Sequence, residues 1–127
     1  MNTPEDLKYT KEDEWVKLDT EIATIGITDY AQDQLSDVVF AEILVSVGEM
    51  LVPGKLIARV ESVKTAADVA SPFSGTVIKV NELVNQSSEL LNKDPYGQAW
   101  LLKVKIDPSS ELKDLMDAKS YRIYRGK

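Results

Sequence analysis

Between residues 15 and 104 the chain is a series of short apolar runs rich in Val, Ile and Thr, each cut off by Gly, Pro, Asn or Ser. Runs of that length and spacing are strands of a small β sandwich or barrel. The runs expected to be strands are 15–18, 22–27, 38–45, 55–61, 75–80 and 99–106. Pro53-Gly54 and Pro72-Phe73-Ser74-Gly75 are turn clusters between them. Asp94-Pro95-Tyr96-Gly97 puts Asp first, Pro second and Gly fourth, the order a type I turn prefers.

Two segments read as helices. In 28–35, Thr28 is placed to cap, and Tyr30, Ala31 and Leu35 make one face. Near the C-terminus, Asp107 is placed to cap a helix with Pro108 at its first position, and Leu112, Leu115, Met116 and Ile123 form the stripe expected to pack on the sheet. A weaker signal is an approximate doubling about residue 64, with Arg59-Val60-Glu61-Ser62 before it and Val77-Ile78-Lys79-Val80-Asn81 after it.

The size fits one domain spanning 1–127, of which 43% is hydrophobic and 28% charged. At this length roughly two thirds of the unfolded surface can be buried, enough for a core without disulfides or a structural metal. The chain has no Cys and no His. That closes thiolate nucleophiles, disulfide frameworks and cysteine zinc sites, and it removes the commonest general base and metal ligand. With 15 basic against 21 acidic residues the net charge is −6, and the three Arg are scattered, which disfavours nucleic acid as a partner. Apolar runs such as Val38-Val39-Phe40-Ala41 and Ala99-Trp100-Leu101-Leu102 are too short to span a bilayer, so no membrane role is expected. The acidic N-terminus, Met1-Asn2-Thr3-Pro4-Glu5-Asp6, resembles neither a secretory signal nor a transit peptide. The expected compartment is the cytoplasm, with a mitochondrial form cut from a longer precursor left open. The glycines form no phosphate-binding fingerprint, so a nucleotide enzyme has no support.

Chemistry concentrates in Val60-Glu61-Ser62-Val63-Lys64-Thr65-Ala66-Ala67-Asp68-Val69. One strand ends near Glu61 or Ser62 and another begins near Ala67, which puts Lys64 at or beside a hairpin tip. An amine there faces solvent on a flexible stem and is open to a modifying enzyme. By topology alone it is equally one of 12 lysines that solubilise the surface.

Glu61-Ser62-Val63-Lys64, followed by Asp68 and Ser71-Pro72, closely resembles the lipoyl-attachment segment of the glycine cleavage system H protein family. Tyr9-Thr10-Lys11-Glu12 with Glu14-Trp15-Val16, Gly26-Ile27-Thr28-Asp29-Tyr30-Ala31-Gln32, and Asp94-Pro95-Tyr96-Gly97 with Trp100-Leu101 match that family in the same order. The resemblance runs over about residues 7–121, and four separated matches make it specific. It implies a mainly β, barrel-sandwich hybrid fold of the lipoyl/biotinyl type with a short internal helix and a C-terminal helix. It implies a carrier and not an enzyme, with lipoic acid in amide linkage on Lys64.

In the cycle so implied, a pyridoxal-phosphate glycine decarboxylase (P protein) releases carbon dioxide and loads an aminomethyl group. A tetrahydrofolate-dependent aminomethyltransferase (T protein) removes the one-carbon unit with release of ammonia. Dihydrolipoyl dehydrogenase (L protein) reoxidises the arm, and a lipoate-attaching enzyme installs it. The missing Cys and His fit that division of labour, because the redox sulfurs belong to the cofactor. The protein is expected to act as a monomer.

The same resemblance assigns Glu14 and Asp68, with Glu12 beside them, to a cleft that holds the loaded arm. Carboxylates suit a cationic amine with several donors, and a cleft excludes water. The alternative for all three is a solvated acidic strand end. Glu61, three residues before the lysine, is a candidate mark for the lipoylating enzyme. Trp15, Trp100, Tyr30 and Tyr96 read as packing.

The chain departs from the family in several places. Ile43-Leu44-Val45 stands where members commonly have Leu-Pro and reads as one residue longer. Asp13 replaces a common His, and Glu12 a position where another residue is frequent. Ser36 and Ala58 replace common glycines. None of these is at Lys64, though they change surfaces a partner reads. Two other functions remain open in the sequence. One is a relay that donates lipoyl groups to other lipoate-dependent complexes, and the other is an unmodified interaction protein.

Overall fold

A computed structural model of the chain describes residues 1–110 and 112–126. Its strands are β1 (Lys8–Tyr9), β2 (Glu14–Asp19), β3 (Ile22–Ile27), β4 (Val38–Ile43), β5 (Met50–Leu51), β6 (Leu56–Ser62), β7 (Ala66–Ala70), β8 (Gly75–Val80) and β9 (Leu102–Ile106). They form a six-stranded sheet in the order β1-β2-β3-β9-β8-β5 and a three-stranded sheet in the order β4-β6-β7. The pairings are antiparallel. The two runs of the approximate doubling lie in different sheets, β6 at the centre of the small one and β8 between β9 and β5.

Period-two alternation explains which residues enter the core. Ala23, Ile25 and Ile27 of β3 and Leu102 and Val104 of β9 are buried, while Lys103 and Lys105 point the other way. Three register shifts interrupt this pattern, one of them in β8 between Val77 and Lys79, beside which Ile78 is exposed. In β4 the register shifts between Val38 and Phe40, so the buried positions are Val38 and Ala41 rather than every second residue. In β6 a shift between Leu56 and Ala58 buries the neighbours Ile57 and Ala58 together.

The first expected helix is α1 (Asp29–Leu35), with the Thr28 hydroxyl accepting from the Ala31 N–H at 3.1 Å. Two further helices, α2 (Glu82–Gln86) and α3 (Leu90–Lys93), are too short to show a period in the sequence. The Asp94 turn closes as expected, the Gly97 N–H donating to the Asp94 carbonyl at 3.2 Å.

A second apolar cluster covers the outer side of β2: Leu7, Tyr9, Trp15, Ala118 and Tyr121, with Tyr30, Tyr96, Trp100 and Met116 against it. The rings of Tyr9 and Tyr121 stack at 4.7 Å, and the Trp15 indole N–H donates to the Pro95 carbonyl at 2.9 Å. The four aromatics expected to pack do so here.

The C-terminal helix corrects the sequence reading. It is α4 (Ala118–Arg125), capped by Asp117, whose carboxylate accepts from the Ser120 N–H at 2.8 Å. Asp107 spends its side chain on a local turn, accepting from the Ser109 N–H at 2.9 Å and hydroxyl at 2.8 Å. Leu112 and Leu115 still pack on the main core, but from irregular chain, and Met116 bridges to Tyr9. Ile123 is 69% exposed, and the buried positions of α4 are Ala118 and Tyr121.

Candidate functional site

The β6–β7 hairpin carries Lys64. Its last cross-strand pair is Glu61 with Ala66, and the Ser62 N–H closes the turn on the Thr65 carbonyl at 2.7 Å. The Ser62 hydroxyl accepts from the Lys64 N–H at 3.3 Å and the Thr65 N–H at 3.1 Å, and donates to the Thr65 carbonyl at 3.1 Å. One side chain thus fills its own hydrogen-bonding capacity and braces the backbone of the tip. The Val63 N–H donates to the Asp37 carbonyl at 3.1 Å, which ties the tip to the chain entering β4. Lys64 itself is exposed, and among the described residues its ammonium has no hydrogen bond or ion pair.

Beside the hairpin lie two adjoining hollows that share Glu12 and Glu14 as lining. The smaller, about 210 Å³, runs from Thr65 and Ala66 past Asp68 to Leu35 of α1. The larger, about 460 Å³, continues along Thr10, Ala70 and Ser71. The fold therefore brings Glu12, Glu14 and Asp68 together and starts their cleft one residue from Lys64. Glu61 lies outside both hollows, on the outer face of the small sheet, paired across the strands with Phe40.

The three acids are not equivalent. Asp68 is exposed and faces Arg59 across the strands, with Nε to Oδ1 at 3.3 Å, so solvent screens it and the pair adds little stability. Glu12 is exposed. Glu14 is 3% exposed. Its Oε1 accepts from the Thr10 hydroxyl at 2.8 Å, and the same hydroxyl accepts from the Glu14 N–H at 3.1 Å. Burial pushes its carboxyl up to about 7 from the ordinary 4.5. Hydrogen bonds from Thr10 and the Ala70 backbone offset part of that rise, and the charges of Glu12 and Asp13 add to it.

Asp13, in the same wall, has φ 69° and anchors α4. Its carboxylate accepts from the Tyr121 hydroxyl at 2.8 Å and from Arg125 Nε at 2.8 Å, and the Tyr121 hydroxyl also meets that of Thr28 at 2.8 Å. Ser62, Thr10 and Asp13 are the parts of the site that the sequence reading passed over. A Ser just before a hairpin tip is a local turn signal and was legible there. The roles of Thr10 and Asp13 depend on partners from distant segments and left no such signal.

A model of the Glycine cleavage H-protein family matches residues 7–126. The glycine cleavage system H protein of Bacteroides thetaiotaomicron is 47% identical over 122 residues, 96% of each chain. That of Thermotoga maritima is 48% identical over 117 residues, 92% of this chain and 94% of its own. A crystal structure of a glycine cleavage system H protein from Mycobacterium marinum superposes with a TM-score of 0.87 at 32% identity, covering 98% of this chain and 99% of that one. The expected barrel-sandwich hybrid is thus the fold. With its hairpin lysine, its acidic cleft and near full-length similarity in sequence and structure, the chain belongs to the glycine cleavage H-protein family.

Proposed function

We propose that the protein is a lipoylated carrier of glycine cleavage, modified on Lys64, which moves the aminomethyl unit of glycine from the decarboxylase to the aminomethyltransferase. The observation that carries this reading is an exposed ammonium, unpaired among the described residues, on a braced hairpin beside an acidic cleft. The residues fit the cofactor. Among the described residues Lys64 has no ion pair to lose on acylation, and the tip backbone is held by Ser62 and Asp37 independently of the lysine side chain. In the attachment step the ammonium loses a proton, the amine attacks the acyl carbon of an activated lipoate, the activating group leaves with its bonding pair, and the nitrogen sheds a second proton to give the amide. The chain's formal charge then falls from −6 to −7.

Once attached, lipoate supplies a dithiolane that accepts the aminomethyl unit and is later reoxidised. The protein fixes the root of the arm, which raises the effective concentration of its end at each partner. Glu14 and Asp68 supply acceptors for a protonated amine entering the cleft. Glu14 gives up its proton near neutrality, so a cation can turn it from a neutral acid into a carboxylate partner within a half-dry wall. Dihydrolipoyl dehydrogenase and a lipoate-attaching enzyme complete the set of partners. The carrier works as a monomer in the cytoplasm and performs no chemistry alone.

Intact mass and peptide mapping of the protein from its native cell test this. Lipoate is expected on the peptide holding Lys64, and Lys64→Arg keeps the fold and loses the group. Lipoate on another lysine, or on none, refutes the reading.

A further inference from the structure

We propose that Val39, Phe40 and Val63, with Glu61 among them, form the surface on which the enzyme that acylates Lys64 docks; the inference rests on the carrier reading above. The three apolar side chains are 60%, 44% and 68% exposed. Register places them at the mouth of the hairpin. Val38 pairs with Ser62, Phe40 pairs with Glu61, and the Val63 N–H reaches the Asp37 carbonyl. The bulge between Val38 and Phe40 turns Val39 out of the alternation, and bulges recur where a side chain is re-aimed beside a working site. Glu61 is exposed and has no ion pair among the described residues.

Large apolar groups clustered around one free amine mark a surface that something covers. The reach of lysine decides what that is. An enzyme forming a bond at Nζ must bring its reacting carbon to an atom only four carbons from the backbone, so it must lie against the neighbours of Lys64. An enzyme acting at the end of the finished arm works an acyl chain farther out and has no such need. The chemistry of the surface fits an apolar shelf on the attaching enzyme with a cationic side chain opposite Glu61. Charge and apolar area together fix the pose that delivers this lysine rather than another.

The test is acylation of the full-length apo chain by a lipoate ligase with lipoic acid and ATP, followed by intact mass. Val39→Ser, Phe40→Ser and Val63→Ser should each lower kcat/KM for acylation about tenfold, as loss of a central docking group does. Val52→Ser is the control, because Val52 is 58% exposed in the turn before the opposite end of β6 and should acylate as the wild type does. A small amine-reactive ester should modify Lys64 at one rate in all of them, and the thermal midpoints should agree. Dihydrolipoyl dehydrogenase should reduce the finished arm of each variant at the wild-type rate. Surface variants acylated like the wild type refute this inference and leave the carrier reading intact. Slowing shared with Val52→Ser or with the small ester, or confined to the dehydrogenase, also refutes it. A wild-type chain that the ligase never modifies refutes the carrier reading itself.

Discussion

The buried carboxyl of Glu14 makes stability depend on pH in a direction opposite to that of an ordinary paired acid. Below pH 4.5 both the folded and the unfolded chain hold the proton. Between 4.5 and about 7 the unfolded chain releases it while the folded chain keeps it, because burial outweighs the hydrogen bonds from Thr10 and Ala70. The folded state then binds more protons, so stability falls as pH rises through this window and levels off above about 7. The gap between 4.5 and about 7 corresponds to about 3 kcal/mol in all, most of which falls between pH 5 and pH 8.

Glu14→Gln removes the titration, keeps nearly the same shape and retains an acceptor for the Thr10 hydroxyl. Urea unfolding of both proteins at pH 5, 6, 7 and 8 is the assay. The difference in unfolding free energy between variant and wild type should move toward the variant by about 2–3 kcal/mol across that range. Subtracting one protein from the other cancels the remaining acids, including Asp107 and Asp117, whose local hydrogen bonds to Ser109 and Ser120 lower them. Two parallel curves would refute the reasoning. They would mean that Glu14 is ionised at pH 5 in the folded chain, through water entering the cleft or a stronger set of donors than Thr10 and Ala70.

Ser36 caps α1 at φ 66° and ψ −144°, a region that suits glycine, so Ser36→Gly should stabilise the protein by about 1 kcal/mol in urea unfolding. A Cβ at Gly26 would stand 2.5 Å from the Trp15 indole, which its bond to Pro95 holds in place. Gly26→Ala should therefore cost about 1–3 kcal/mol and shift the tryptophan emission. Asp68→Asn combined with Glu14→Gln should leave lipoylation at Lys64 unchanged but speed loss of ammonia from protein loaded without aminomethyltransferase. At roughly 1 kcal/mol for the charge-assisted contact to buried Glu14, with little added by solvent-screened Asp68, the acceleration is several-fold.

What the sequence disclosed divides along the range of the interactions involved. Residues 22–27 announced themselves as a strand because alternate residues, Ala23, Ile25 and Ile27, face one core, whereas in 75–80 only Gly75 and Val77 do so before the register shifts. The α1 helix was legible because its capping bond spans only Thr28 to Ala31. The C-terminal helix was misplaced because Asp107 and Asp117 are equally good caps locally. What decides between them is the pairing of Met116 with Tyr9, through backbone hydrogen bonds of 2.7 and 2.8 Å, which holds the residue just before Asp117 in a β-bridge rather than in a helix. No local pattern encodes a bridge across that separation.

The site divides in the same way. The Lys64 tip closes on itself within residues 62–65, so its exposure followed from the turn, whereas the role proposed for it came only from the matching motif. Lys11-Glu12-Asp13-Glu14 reads as a solvated charged run, and Glu14 becomes a buried acid only when Thr10 turns back on it and Ala70 of the other sheet closes over it. Locality also governs how changes combine. Substitutions at the tip should add to those in the cleft, because the hydrogen bonds bracing Lys64 involve neither Glu14 nor Thr10. Changes at Glu14, Thr10 and Ala70 share one buried carboxyl and should not add. The hairpin tip and the acidic cleft can therefore vary separately, so that variants of one leave the hydrogen bonds of the other in place.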